Sequence, residues 1–172
     1  MYRIFSKVHF TVQSLDPICL KLIYLCQQSL EFMLLMAHHL LFFVLFLMLL
    51  ISIIRSFIVG FMNKNLDFKK SRILSITILT AHLQLVFGVI LFSQFAFSVS
   101  DFTSIMQDSI LRFKYIEHPS IMLLAIIILS IGRVKAKKME DTKQYARTIF
   151  TYFLIAFILI LLRVPFDRLL VF

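Results

Sequence analysis

Long uncharged runs, set apart by short stretches crowded with lysine and arginine, dominate the chain. In residues 32–54 the only side chains that titrate near neutral pH are His38 and His39, and in residues 73–100 the only one is His82. A helix rising about 1.5 Å per residue crosses the roughly 30 Å hydrocarbon core of a bilayer in about 20 residues, and both runs meet that length. A third apolar run follows Glu117-His118-Pro119, and a fourth lies between Arg147 and Arg163. The pattern therefore predicts spanning helices over about 34–58, 73–95, 115–134 and 145–165. The fold class expected is all-α: an integral membrane four-helix bundle with up-down topology. The fourth span is short between its two arginines, so snorkelling side chains or local bilayer thinning must complete the crossing. Pro119 falls in the first turn of the third span, where its missing N–H is not needed.

Within the spans, small and polar positions fall at helical spacing. Thr77, Ala81, Gln84 and Gly88 form one stripe of the second span, and small residues so placed let neighbouring helices approach closely. His82 lies about 200° around that helix from Gln84, so the two do not share a face. In the third span His118, Met122, Ala125, Leu129 and Gly132 occupy one face. The connection 96–117 keeps a rough helical spacing of Ile105, Met106, Ile110, Phe113 and Ile116 among polar residues, which predicts an interfacial amphipathic helix.

Residues 1–32 read differently. Arg3, Lys7, Asp16, Lys21 and Glu31 interrupt every apolar run, so no span and no signal-peptide core is expected there. Two readings of this extension are open: an interfacial segment near residues 18–24, or residues ahead of a translation start at Met33 or Met36. Residues 33–172 then make up the four-span membrane domain.

Composition agrees with the pattern. The 172-residue chain is 60% hydrophobic and 16% charged, with a mean hydropathy of +0.94, whereas soluble domains are about half apolar and about a quarter charged. The net charge of +9 adds a direction. Lysine and arginine gather in residues 63–72 and 133–147, while Arg112 and Lys114 in the middle connection are offset by Asp101, Asp108 and Glu117. The positive-inside rule puts the first and third connections in the cytoplasm and both termini outside, as in a multi-pass protein of a bacterial inner membrane. No basic face with interleaved aromatics suggests a nucleic-acid partner. Cys19 and Cys26 make neither a metal pattern nor a disulfide framework.

The candidate chemistry lies in the histidines. With this topology His38, His39 and His118 fall in the outer half of the membrane, and His82 lies about 14 Å in from the cytoplasmic end of its span. Ionisable groups at such depth usually face a protein interior and mark a site. Imidazoles from facing helices are the ligands of a b-type haem, and a bilayer interior favours the neutral ring that binds iron. His38 or His39 with His118 is the pair best matched in depth, with His118 and His39 as candidate iron ligands. His82 joins them only if a helix tilts. Glu117 is placed to orient a neighbouring ring or to accept a proton. The opposing reading gives each imidazole a structural hydrogen bond to a backbone carbonyl or to a side chain on the next helix. No covalent haem motif, Walker loop, His-Glu-x-x-His or Gly-x-Ser-x-Gly occurs.

Ala37-His38-His39-Leu40, the run from Thr80-Ala81-His82 to Phe87-Gly88, Arg112-Phe113 with Glu117-His118, and Gly132-Arg133-Val134-Lys135-Ala136-Lys137-Lys138 together resemble a group of small four-helix membrane proteins. That group belongs to Bacteroidetes-type bacteria and is loosely labelled cytochrome b-like. The resemblance covers about residues 33–165. It implies haem b, with His38 or His39, His82 and His118 as ligands, although a His-His pair stands here where one His is usual. Three functions follow as expectations. The first is a haem b protein that passes electrons, with quinone or respiratory-chain proteins as partners. The second is a non-catalytic membrane subunit or assembly factor, in a homo- or hetero-oligomer. The third is a small transporter with Glu117, His118 and His82 as proton-relay groups, disfavoured by the lack of an inverted repeat.

Overall fold

The computed structural model describes residues 16–62, 68, 71–96 and 102–163. Most of the first basic connection, residues 97–101 and everything from residue 164 onward, including the predicted end of the fourth span, lie outside the described residues. So do Arg3 and Lys7 of the extension. The chain divides into two compact units, residues 1–36 and 37–172.

All regular structure among the described residues is helical. In order come α1 (Pro17–Phe61), α2 (Arg72–Ala96), α3 (Phe102–Gln107), α4 (Ser109–Arg112), a π-helical turn (Phe113–Glu117), α5 (His118–Lys137) and α6 (Thr142–Leu162). Four stretches are long and apolar enough to cross a membrane: Tyr24–Phe61, Arg72–Gln94, Ser109–Lys137 and Thr142–Leu162. The protein thus has the build of a multi-pass membrane protein.

α1 begins well before the predicted span because Lys21 and Glu31 limit where a helix can enter lipid, not whether the chain coils. Local bonds serve the first unit, among them Gln27 Nε2 to Glu31 Oε1 at 3.2 Å. The third span also begins earlier than predicted: Pro119 lies in the first turn of α5, as expected, but the π turn and α4 continue the helical run ahead of it. Proline lacks an N–H and its ring crowds the carbonyl four residues back, here that of Tyr115. The π turn lies over these residues, with the His118 N–H bonding the carbonyl of Phe113, so the backbone widens where proline would clash. Asp141 starts α6 as its N-cap, accepting from the backbone N–H of Lys143 and Gln144.

Small residues set the packing of the second unit. α5 and α6 form its broadest contact, along Ala125, Leu129, Gly132 and Ala136 on one side and Ala146, Ile149, Phe153 and Ala156 on the other, all buried. Between α1 and α2, the fully buried Ser52 and Thr77 hydroxyls lie 3.0 Å apart. Each also bonds a carbonyl of its own helix, Met48 for Ser52 and Ile73 for Thr77. Phenylalanines join α1 to α6, Phe46 to Phe157 at 5.3 Å and Phe57 to Phe150 at 5.5 Å between centroids. At the same end Arg147 donates to the carbonyl of Gly60 at 3.0 Å, satisfying one of the orphan carbonyls that close α1. Large apolar side chains such as Leu40, Leu47, Leu79, Val86, Leu124 and Ile158 point outward. A soluble protein rarely exposes so much apolar surface, and a lipid-facing bundle must.

Candidate functional site at the histidine end of the bundle

All four long helices contribute to one polar cluster, at the end opposite the Arg147–Gly60 contact. α1 brings His38. α2 brings Gln84 and Gly88, two members of the predicted stripe. The pairing of these helices is antiparallel and in register. From Thr77, beside Met48, to Gly88, beside His38, is about 16 Å along α2, and from Met48 to His38 is about 15 Å along α1. The Gln84 side chain reaches His38 from one turn earlier, with Nε2 at 3.1 Å from Nε2 of the ring and 3.3 Å from Nδ1. A β-carbon at Gly88 would rest 3.5 Å from Cε1 of the same ring. Gly88 therefore gives the imidazole its place against the backbone of α2.

α5 brings His118, whose charge reaches His38. Its Nδ1 lies 3.1 Å from the carbonyl oxygen of Arg163, where α6 ends. Phe113, on the π turn, flanks the ring at 6.0 Å between centroids. Beside it the Glu117 carboxylate receives two guanidinium groups, Arg112 Nε on Oε1 at 3.1 Å and Arg163 Nη1 on Oε2 at 2.9 Å.

The sequence-predicted residues divide between the site and its surroundings. His38 and His118 lie at the same end of the bundle, His38 against Gln84 and His118 against Arg163. His39 is half-buried, with its ring 6.4 Å from that of His38. His82 is exposed on the far side of α2 and donates through Nδ1 to the carbonyl of Ile78, 2.7 Å away in its own helix. Glu117 lies next to His118, held by the two arginines. Sequence reasoning used Arg112 as a loop charge and motif member and Arg163 as a span boundary, gave neither a partner in Glu117, and placed Gln84 only in a packing seam. The sign that was available for Gln84 is that its amide is the most demanding group on that stripe. Even here Oε1 of Gln84 is buried with no hydrogen-bond partner among the described residues, and buried polar groups left unpaired are uncommon.

His38 and His118 are the imidazoles that would hold a haem b here, and a bound haem would supply one-electron redox chemistry. His118 has its Nδ1 on a backbone carbonyl, the arrangement that leaves the other ring nitrogen to a metal. Gly88 removes a side chain beside His38. Among the described residues no group of three or more His, Cys, Asp and Glu gathers as a separate ion cage.

The fold and the site together define a class: a multi-pass helical membrane protein with a histidine cluster built by all four long helices. Comparison with known protein families, curated proteins and solved structures finds no match to the chain.

Proposed function

We propose that this protein is an electron-transfer protein of a bacterial inner membrane in which His38 and His118 hold haem b. The supporting observation is that those two imidazoles, from α1 and α5, lie at one end of the bundle with the charge of His118 reaching His38. Bound haem b would supply one-electron redox chemistry. The chain's own residues do the rest. Arg163 and Gln84 orient the two rings, and the lipid that the outward Leu, Phe and Ile side chains face would keep bulk water from the spans. Glu117, at the rim of the cluster and held by Arg112 and Arg163, fixes the backbone beside His118. Electron partners of matching chemistry are membrane quinone and respiratory-chain proteins. The cationic residues Arg133, Lys135, Lys137, Lys143 and Arg147 mark the opposite end of the bundle, so the positive-inside rule makes that end cytoplasmic. The histidine end and both termini then lie outside. The resemblance to cytochrome b-like bundles supports the same reading.

A dithionite-reduced minus oxidised spectrum of protein purified in mild detergent after expression with ample haem tests it. A b-type band is expected, and His118→Ala should abolish or broaden it. A folded, haem-replete preparation without a band refutes the proposal, and an unchanged band in the variant refutes the ligand assignment. A reporter fused after Phe172 should signal a periplasmic location.

One observation favours a non-catalytic membrane subunit instead: the His38 ring already meets the Gln84 amide, as interhelical glue would. Replacing both partners of a structural hydrogen bond by apolar groups is nearly neutral, whereas replacing one is costly. A His38→Leu/Gln84→Leu protein that is as stable as the parent, and whose parent carries no haem band, selects this second reading.

A further inference from the structure

We infer that Arg163 is the positioning residue of the histidine site, acting on His118 through its backbone and on Glu117 through its side chain. The role rests on the haem-ligand proposal, in which His118 acts through Nε2. Three features of the cluster carry it.

The first is the direction of one hydrogen bond. His118 Nδ1 lies 3.1 Å from the Arg163 carbonyl oxygen. A carbonyl only accepts, so Nδ1 must carry the hydrogen. In the neutral ring the lone pair is then on Nε2, and the ring has one tautomer rather than two. The second is the place of the acceptor. Arg163 is the C-cap of α6, with its own N–H bonded back to the carbonyl of Ile160. Carbonyls at a helix C-terminus have no partner within the helix, and they carry the negative end of the helix dipole. An N–H donor there meets a favourable field, so His118 and the end of α6 satisfy each other.

The third is the guanidinium. Arg163 Nη1 holds Oε2 of Glu117 at 2.9 Å while Arg112 takes Oε1. Glu117 immediately precedes His118, so the same residue that receives the ring's hydrogen also fixes the backbone from which the ring projects. With both oxygens engaged by arginine, the carboxylate is turned from the ring hydrogen that Arg163 receives. Loss of the guanidinium would release Oε2 of Glu117, leaving only Arg112 on the carboxylate, and loosen the α6 end that presents the carbonyl.

The experiment uses the full chain, labelled with ¹⁵N-histidine, in detergent without haem. Two-bond ¹H–¹⁵N correlation spectra report which ring nitrogen is protonated, and the His118 signals are those missing from His118→Phe. The Nδ1–H form should exceed the other by roughly three- to tenfold, the population ratio of one net hydrogen bond. A predominant Nε2–H form, or an even mixture, overturns the inference. Arg163→Gln should bring the two forms closer to equality, and Arg163→Lys should restore the preference. Equal spectra for the parent and Arg163→Gln overturn the part played by the guanidinium. In haem-loaded protein, Arg163→Gln should weaken haem retention about tenfold, as loss of a second-shell partner does, with recovery in Arg163→Lys. If the tautomer is as inferred but the parent takes up no haem, the electron-transfer reading fails while the positioning role stands. If the haem band is present and the tautomer is wrong, the reverse holds.

Discussion

Gly132→Ala should loosen the bundle at its tightest helix crossing. An added β-carbon would lie 2.8 Å from Cγ of Tyr152 and closer still to its Cβ. Carbon atoms rest at about 3.5–4.0 Å, so the partners must separate by most of an ångström or more. The nearer atom is a β-carbon fixed to the backbone of α6, so no side-chain rotation can clear it. Helix α5 must move away from α6, along a seam that includes Ala125, Leu129 and Ala136. Overpacking of this kind costs about 1–3 kcal/mol. Alanine's helix propensity returns up to about 1 kcal/mol, which leaves a net loss of about 1–2 kcal/mol. Reversible unfolding in mixed mild detergent and dodecyl sulfate, followed by circular dichroism, measures it. The geometry also fixes the pattern of rescue. Tyr152→Ala keeps the β-carbon and should not relieve Gly132→Ala, whereas Tyr152→Gly should. A Gly132→Ala protein as stable as its parent, or equal rescue by both second changes, would refute the close approach.

Other sites respond differently. Gly88→Ala should be tolerated within about 0.5 kcal/mol in the same assay, because its β-carbon would find ordinary contact at 3.5 Å from His38. A loss above about 1.5 kcal/mol would show that this ring presses closer to α2 than ordinary contact. Ser52→Ala and Thr77→Val, alone and together, should give a coupling energy near 0.6 and below about 1.7 kcal/mol, the range for hydrogen bonds between membrane helices. A coupling indistinguishable from zero would mean that the two hydroxyls serve only their own helices. Asp141→Ala should cost about 1 kcal/mol through loss of the α6 N-cap, and unchanged unfolding would place the start of α6 elsewhere.

The four apolar helices were legible because charge is so costly in lipid that its absence over about twenty residues is itself the mark of a span. The Thr77–Gly88 stripe was legible for a related reason, since small residues at helical spacing have an evident use in close packing. Ser52, Ser56 and Gly60 carry the same spacing and are all buried, yet the surrounding leucines and phenylalanines masked them. The early start of α1 was hidden because charged residues end a membrane span without ending a helix. The Arg163–His118–Glu117 arrangement was not legible, because it joins the start of α5 to the end of α6 and depends on where one carbonyl points. His82 shows the converse. Its depth left a site and a structural bond to a backbone carbonyl both open, and the carbonyl of Ile78 one turn back takes its Nδ1.

The π turn before Pro119 has a consequence for changes in chain length. One residue more than an α-helix would use is wound into Phe113–Glu117, so a one-residue deletion there, such as loss of Lys114, is the shortening this run can absorb. The stretch would close to an ordinary α-helix, with Ser109–Arg112 and everything from His118 onward keeping nearly their present phases. Arg112 would then stand four residues ahead of Glu117, still one turn away, and Arg163 would remain. The Pro119 ring, however, would press on the carbonyl that the wide turn now clears, so the surplus residue is the slack that lets a proline sit in this helix.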